Sequence, residues 1–149
     1  MRNSIYLNFN KLIFENITNN LTLYHGSKND FDEFNLSGFG LSDDGWLGYG
    51  IYLTNDYEYA ETYGEVYECK VDIQNPLVLT DFRYETSPDR LKEEFNADNA
   101  HHLTSILKKE GYDSVILTHN DDDDIELEGD FVEICVFNPN KIKIIDKNI

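Results

Sequence analysis

A carboxylate, a histidine and a run of tyrosines are the parts of this chain equipped for chemistry. Glu133 lies in Phe131-Val132-Glu133-Ile134-Cys135-Val136-Phe137, a run apolar on both faces and so expected as a buried central strand. A carboxylate there is costly unless it is paired or opens onto a cleft. Two readings stand: a satisfied structural acid with a lysine partner, or a catalytic carboxylate at the floor of a site. His25 ends the expected strand Leu21-Thr22-Leu23-Tyr24-His25, just before a Gly26-Ser27-Lys28-Asn29-Asp30 turn. Strand ends of this kind often touch ligands, although a lone histidine is also a common structural residue.

The tyrosines belong to the stretch around which the chain is organised, Tyr49-Gly50-Ile51-Tyr52-Leu53-Thr54 and its continuation Asn55 to Gly64. As a strand it puts Ile51 and Leu53 on a core face and Gly50, Tyr52 and Thr54 on the other. Asn55 is the expected cap of the following helix, where Tyr59 and Tyr63 share a face. Aromatic walls beside a glycine suit a flat ring such as a nucleobase or nicotinamide; an ordinary core corner is the alternative.

Other candidates carry less. His101 and His102 are adjacent on a helix and cannot converge on one metal, and His119 only opens an acidic loop. That loop places Asp124, Glu126, Glu128 and Gly129 at EF-hand positions, but Cys135 would stand where the closing glutamate belongs and flanking helices are missing. A solvated acidic loop is expected, with no metal. Gly38-Phe39-Gly40 lacks the later glycine of a dinucleotide fingerprint, and neither a P-loop nor a zinc motif occurs.

These residues need elements to hold them. Val66 to Ile73 alternates as a half-exposed strand, Asn75-Pro76 breaks it, and Leu77-Val78-Leu79 continues it. Ser87-Pro88 starts a helix edged by Leu91 and Phe95. A second runs from about Asn99 to Glu110, with Leu103, Ile106 and Leu107 inward and Gly111 as its stop. Strands follow at Asp113 to Thr118, Phe131 to Phe137 and Lys141 to Ile145, the last two joined by an Asn138-Pro139-Asn140 turn. Residues 31 to 47 read as a long loop. The expected architecture is a single α+β domain over residues 21–149, with residues 1–20 as an N-terminal segment docked on it.

At 149 residues the chain can bury a core without disulfide or metal staples. Cys69 and Cys135 both fall in expected strands and read as buried, reduced thiols. The sequence shows neither a basic-then-apolar leader nor an apolar run of membrane-spanning length, which points to a cytoplasmic protein with no membrane contact. Its 12 basic and 29 acidic residues give a net charge of −17. Such a surface repels phosphate backbones, so nucleic acid is disfavoured as a partner and basic macromolecules are favoured.

Taken in order, Tyr24-His25-Gly26-Ser27, Gly50-Ile51-Tyr52, Ala60-Glu61-Thr62-Tyr63-Gly64 and Glu133 on a late strand resemble the His-Tyr-Glu class of ADP-ribosyltransferases. This is the group of diphtheria toxin and the poly(ADP-ribose) polymerases. The likeness spans roughly Leu21 to Ile145, and the ending Val136 to Lys143 is similar to that of small bacterial and phage members. The resemblance implies a split β-sandwich with flanking helices that binds NAD in its cleft, and an enzyme serving as a toxin or phage effector. It implies that His25 bonds a ribose hydroxyl, Gly26 holds the nicotinamide amide through its backbone, and Ser27 lines the same pocket. Tyr52 and Tyr63 would sandwich the nicotinamide ring, and Glu133 would stabilise the oxocarbenium ion left when nicotinamide departs. The glycine-rich segment Gly38 to Gly48 would lie over the dinucleotide.

Two positions depart from the family pattern. Ala60 stands where many relatives carry a serine, and Phe131 replaces the glutamate of arginine-modifying enzymes, which weakens arginine as the acceptor. The acidic loop lies where relatives recognise their targets and suggests a basic target surface. Mono-ADP-ribosyl transfer to a macromolecule, in first place a protein, is the expected reaction, since chain elongation would need an acceptor site for ADP-ribose that the sequence does not offer. The alternatives are an NAD glycohydrolase and an inactive NAD-binding or interaction module on the same fold. A Cys135/His25 thiol hydrolase is disfavoured, because a mid-strand thiol among apolar neighbours resists ionisation.

Overall fold

A computed structural model describes residues 21–35, 45–79, 89–118 and 132–147. Seven strands form one mixed sheet: β1 (Leu21–Ser27), β2 (Ile51–Thr54), β3 (Glu65–Val71), β4 (Pro76–Leu79), β5 (Ser114–Thr118), β6 (Val132–Val136) and β7 (Ile142–Lys147). Among the described residues three α-helices accompany them: α1 (Tyr57–Glu61), α2 (Arg90–Glu94) and α3 (Ala100–Lys109). The strand order is β4-β5-β6-β2-β1-β3-β7. Only β4 and β5 pair in parallel, with α2 and α3 in the crossover between them.

The sheet divides at its middle. β1 meets β3 over seven paired positions, but meets β2 at Tyr24–Thr54 alone. Buried residues from both sides of that seam, among them Leu23, Cys69 and Ile142 on one half and Ile51, Ile116 and Ile134 on the other, belong to one core cluster. The halves therefore fold face to face, as a split sandwich. The reverse face of the β4-β5-β6-β2 half presents Leu77, Val115, Leu117 and Cys135 to Leu91, Phe95, Leu103 and Leu107 of the helices. Leu103 and Leu107, one helical turn apart and fully buried, each contribute about 1.5–3 kcal/mol by leaving water. Hydrophobic residues cover both faces of β5 and β6, as the unbroken apolar runs require.

Several boundaries move. Gly26 and Ser27 belong to β1 and not to a turn, because both pair with β3, opposite Val66 and Glu65. Asp56, not Asn55, caps α1: its carboxylate accepts from the Tyr59 amide at 3.2 Å. The Asn55 side chain instead accepts from the Val132 amide at 3.0 Å and ties the end of β2 to the start of β6. Asn99 caps α3 as expected, and Gly111 ends it with φ +98°. β7 runs on to Lys147, two residues past its expected end. The expected N-terminal helix, the Ser87-Pro88 helix start and the acidic loop from His119 to Asp130 lie outside the described residues, as do Phe131 and Gly38 to Asp44.

Candidate active site

The seam between β1 and β2 opens a cavity of about 420 Å³, within the usual range of small-molecule sites. His25, Gly26, Ser27, Tyr52, Tyr63 and Glu133, the residues singled out from the sequence, all line it. Four elements bring them together. β1 supplies the first three, β2 Tyr52, the turn after α1 Tyr63, and β6 Glu133.

His25 bridges the seam. Its Nδ1 lies 2.7 Å from the Tyr52 carbonyl oxygen, and since a carbonyl only accepts, Nδ1 carries the proton. Nε2 is then left as an acceptor, buried and with no hydrogen-bond partner among the described residues. Burial lowers the imidazole pKa below its ordinary 6.5, against the opposing pull of the Tyr52 carbonyl, so the ring is neutral at pH 7. Phe31, Phe34 and Tyr67 pack edge-on around it, and Phe31 stacks on Tyr67 at 4.5 Å. Those rings fix the imidazole's orientation.

Gly26 has a packing reason of its own. A methyl group at this position would stand 1.8 Å from the Ala60 carbonyl oxygen, so only glycine lets α1 sit directly on β1. The same contact sets Tyr63 beside the cavity mouth.

Tyr52 faces the cavity from β2, but its hydroxyl is committed elsewhere. It donates to the Gly48 carbonyl at 2.7 Å and accepts from the Leu47 amide at 2.9 Å. Burial holds the phenol well above its ordinary pKa, so Tyr52 offers a ring wall and not an acid. The Ser27 hydroxyl accepts from the Asn29 amide at 3.0 Å.

Glu133 is 8% exposed and pairs with Thr54 of β2 on one side and Leu117 of β5 on the other. Alternation along β6 puts it on the same face as Cys135, and Tyr52 and Thr54 share that face on β2. The Tyr59 hydroxyl hydrogen-bonds to it, and burial together with that bond pushes the Tyr59 phenol above its ordinary range. A desolvated carboxylate beside tyrosine rings can stabilise positive charge that develops on a bound molecule.

The comparisons bear on what that molecule is. Residues 19–149 match the family model described as the ADP-ribosyltransferase in polyvalent proteins. The chain belongs to that family. No curated protein matches it.

In this ADP-ribosyltransferase domain Tyr59, read from the sequence as an aromatic wall beside Tyr63, also lines the cavity, and the structure adds Tyr24, Lys28, Asn29, Trp46 and Thr54, which sequence reasoning did not single out as site residues. Trp46 is the chain's single tryptophan and lies within the glycine-rich segment, a signal that was available. Thr54 gave none. Its Oγ1 donates to the Val132 carbonyl at 2.9 Å and accepts from the Asp56 amide at 3.1 Å, a role that exists only once β2, β6 and α1 meet. His101 lies outside the cavity, stacked on Tyr49 at 3.7 Å, and His102 accepts from the Asp98 amide at 2.9 Å at the start of α3. Cys135 is fully buried with its thiol pKa pushed up, so thiol chemistry gains no support.

Proposed function

We propose that this domain uses NAD, breaks its nicotinamide–ribose bond, and transfers a single ADP-ribose to a macromolecule, a protein with a basic surface, by the His-Tyr-Glu scheme. The observation that carries the reading is the combination, in one cavity, of a buried imidazole acceptor with no partner among the described residues and a buried carboxylate flanked by tyrosines. A ribose hydroxyl supplies the donor that the His25 Nε2 lacks. Lys28, the only cation among the described lining residues, suits the diphosphate.

In the reaction the carbon–nitrogen bond to nicotinamide breaks and its electron pair leaves with the ring. The ribose carbon becomes electron-poor, and Glu133 stabilises that charge in a water-poor setting. Tyr52 and Tyr63 hold the departing ring, at about 0.5–1.5 kcal/mol per aromatic pair. An acceptor nucleophile then bonds to the ribose carbon and gives up its proton. An inactive binding module would have no use for a carboxylate this buried. The two free cysteines fit a reducing compartment, and we place the protein in the cytoplasm.

The test is incubation with NAD labelled in its adenylate half and a cell lysate, alongside Glu133→Ala. Label retained on protease-sensitive material, and absent with the variant, is the expected result. Free nicotinamide with no retained label would make the protein a glycohydrolase. Absence of NAD binding would remove the reading altogether.

A further inference from the structure

Tyr59 links two other lining residues of the cavity. Its hydroxyl hydrogen-bonds to Glu133 and lies 2.9 Å from the hydroxyl of Tyr63, with the two rings edge-on at 5.5 Å. Proton counting gives this chain a direction. With Glu133 ionised the carboxylate only accepts, so the single Tyr59 proton goes to Glu133 and the Tyr63 proton to Tyr59. The chain runs from Tyr63, 54% exposed at the cavity mouth, inward to Glu133.

We propose that Tyr59 is the positioning residue of this site: it holds the Glu133 carboxylate in place and couples it to Tyr63, the tyrosine at the cavity mouth. The catalytic consequence rests on the NAD reading above; the positioning itself does not. α1 is short, but it is pinned at both ends, by the Asp56 cap and by the seat of Ala60 on Gly26. Its tyrosines are therefore presented in a fixed place. A ring that settles against Tyr63 bears on the first member of the chain that ends at the carboxylate.

The experiment compares wild type, Tyr59→Phe and Tyr63→Phe, each of which loses only a hydroxyl and keeps its ring. Titration of the Glu133 carboxyl is followed by carbon NMR, with the signal assigned through Glu133→Gln. Tyr52 from β2, Tyr63 from the turn after α1, and His25 and Lys28 from the β1 side also line this cavity, while β5 presents Leu117. Tyr59→Phe replaces none of them. Since a donor favours the charged form, Tyr59→Phe moves the Glu133 midpoint to higher pH, and Tyr63→Phe moves it the same way by less. In nicotinamide release, kcat falls about ten- to a hundred-fold in Tyr59→Phe with KM little changed, and the acid limb of the pH profile moves with the NMR midpoint. An unmoved midpoint in Tyr59→Phe, or a larger effect in Tyr63→Phe, would overturn the proposal. Wild type that titrates as expected but leaves NAD intact would overturn the NAD reading and leave the positioning standing.

Discussion

His25 and Glu133 sit in the same cavity, both buried but with different neighbours. Burial disfavours whichever form carries charge, so each group needs neighbours to decide its state. His25 has the Tyr52 carbonyl on Nδ1 and aromatic rings around it, and stays neutral; Glu133 has the Tyr59 hydroxyl as a donor. The histidine's state has a consequence for stability. The unfolded chain takes up a proton near pH 6.5, whereas the folded chain, with its lowered pKa, resists it. Stability is therefore unaffected well above that pH, falls as pH drops below it, and levels off only below the folded pKa. Urea unfolding from about pH 7.5 to about pH 5 should show a steeper loss for wild type than for His25→Gln. Parallel curves would contradict the burial of a neutral imidazole.

At the scale of elements, the site exists because the sheet opens between β1 and β2 and α1 closes over the opening. Gly26 is the contact that permits this. Gly26→Ala should lower the denaturant midpoint, costing about 1–3 kcal/mol, and should reduce nicotinamide release as α1 lifts with Tyr59 and Tyr63. A variant of unchanged stability would refute the close seating. Much of this was legible beforehand. The doubly apolar run around Glu133 specified a central strand, and the alternation of Ile51 to Thr54 specified which residues face the cavity. What could not be read was pairing between distant segments. Gly26 and Ser27 look like a turn until β3 lies beside them, and Asn55 looks like a cap until Val132 claims its side chain. Tyr59 was visible as the helical neighbour of Tyr63, but its bond to Glu133 joins residues 74 positions apart (133 − 59) and has no local signature.

For the whole molecule, the net charge of −17 governs encounter and not chemistry. If the acceptor is basic, labelling of lysate proteins should fall as salt rises, because long-range attraction is screened beyond about 8–10 Å at physiological ionic strength. Nicotinamide release without acceptor should change little over the same range, and an equal loss in both would argue against electrostatic capture. The fold contributes a cleft between two half-sheets; in the proposed function the reaction depends on one acid within it. The most direct measurement is therefore the rate of nicotinamide release from NAD by wild type and by Glu133→Gln, with NAD affinity measured beside it. The account predicts a loss of at least about a hundred-fold in kcat with affinity largely retained. A glutamine variant that releases nicotinamide as fast as wild type would contradict it.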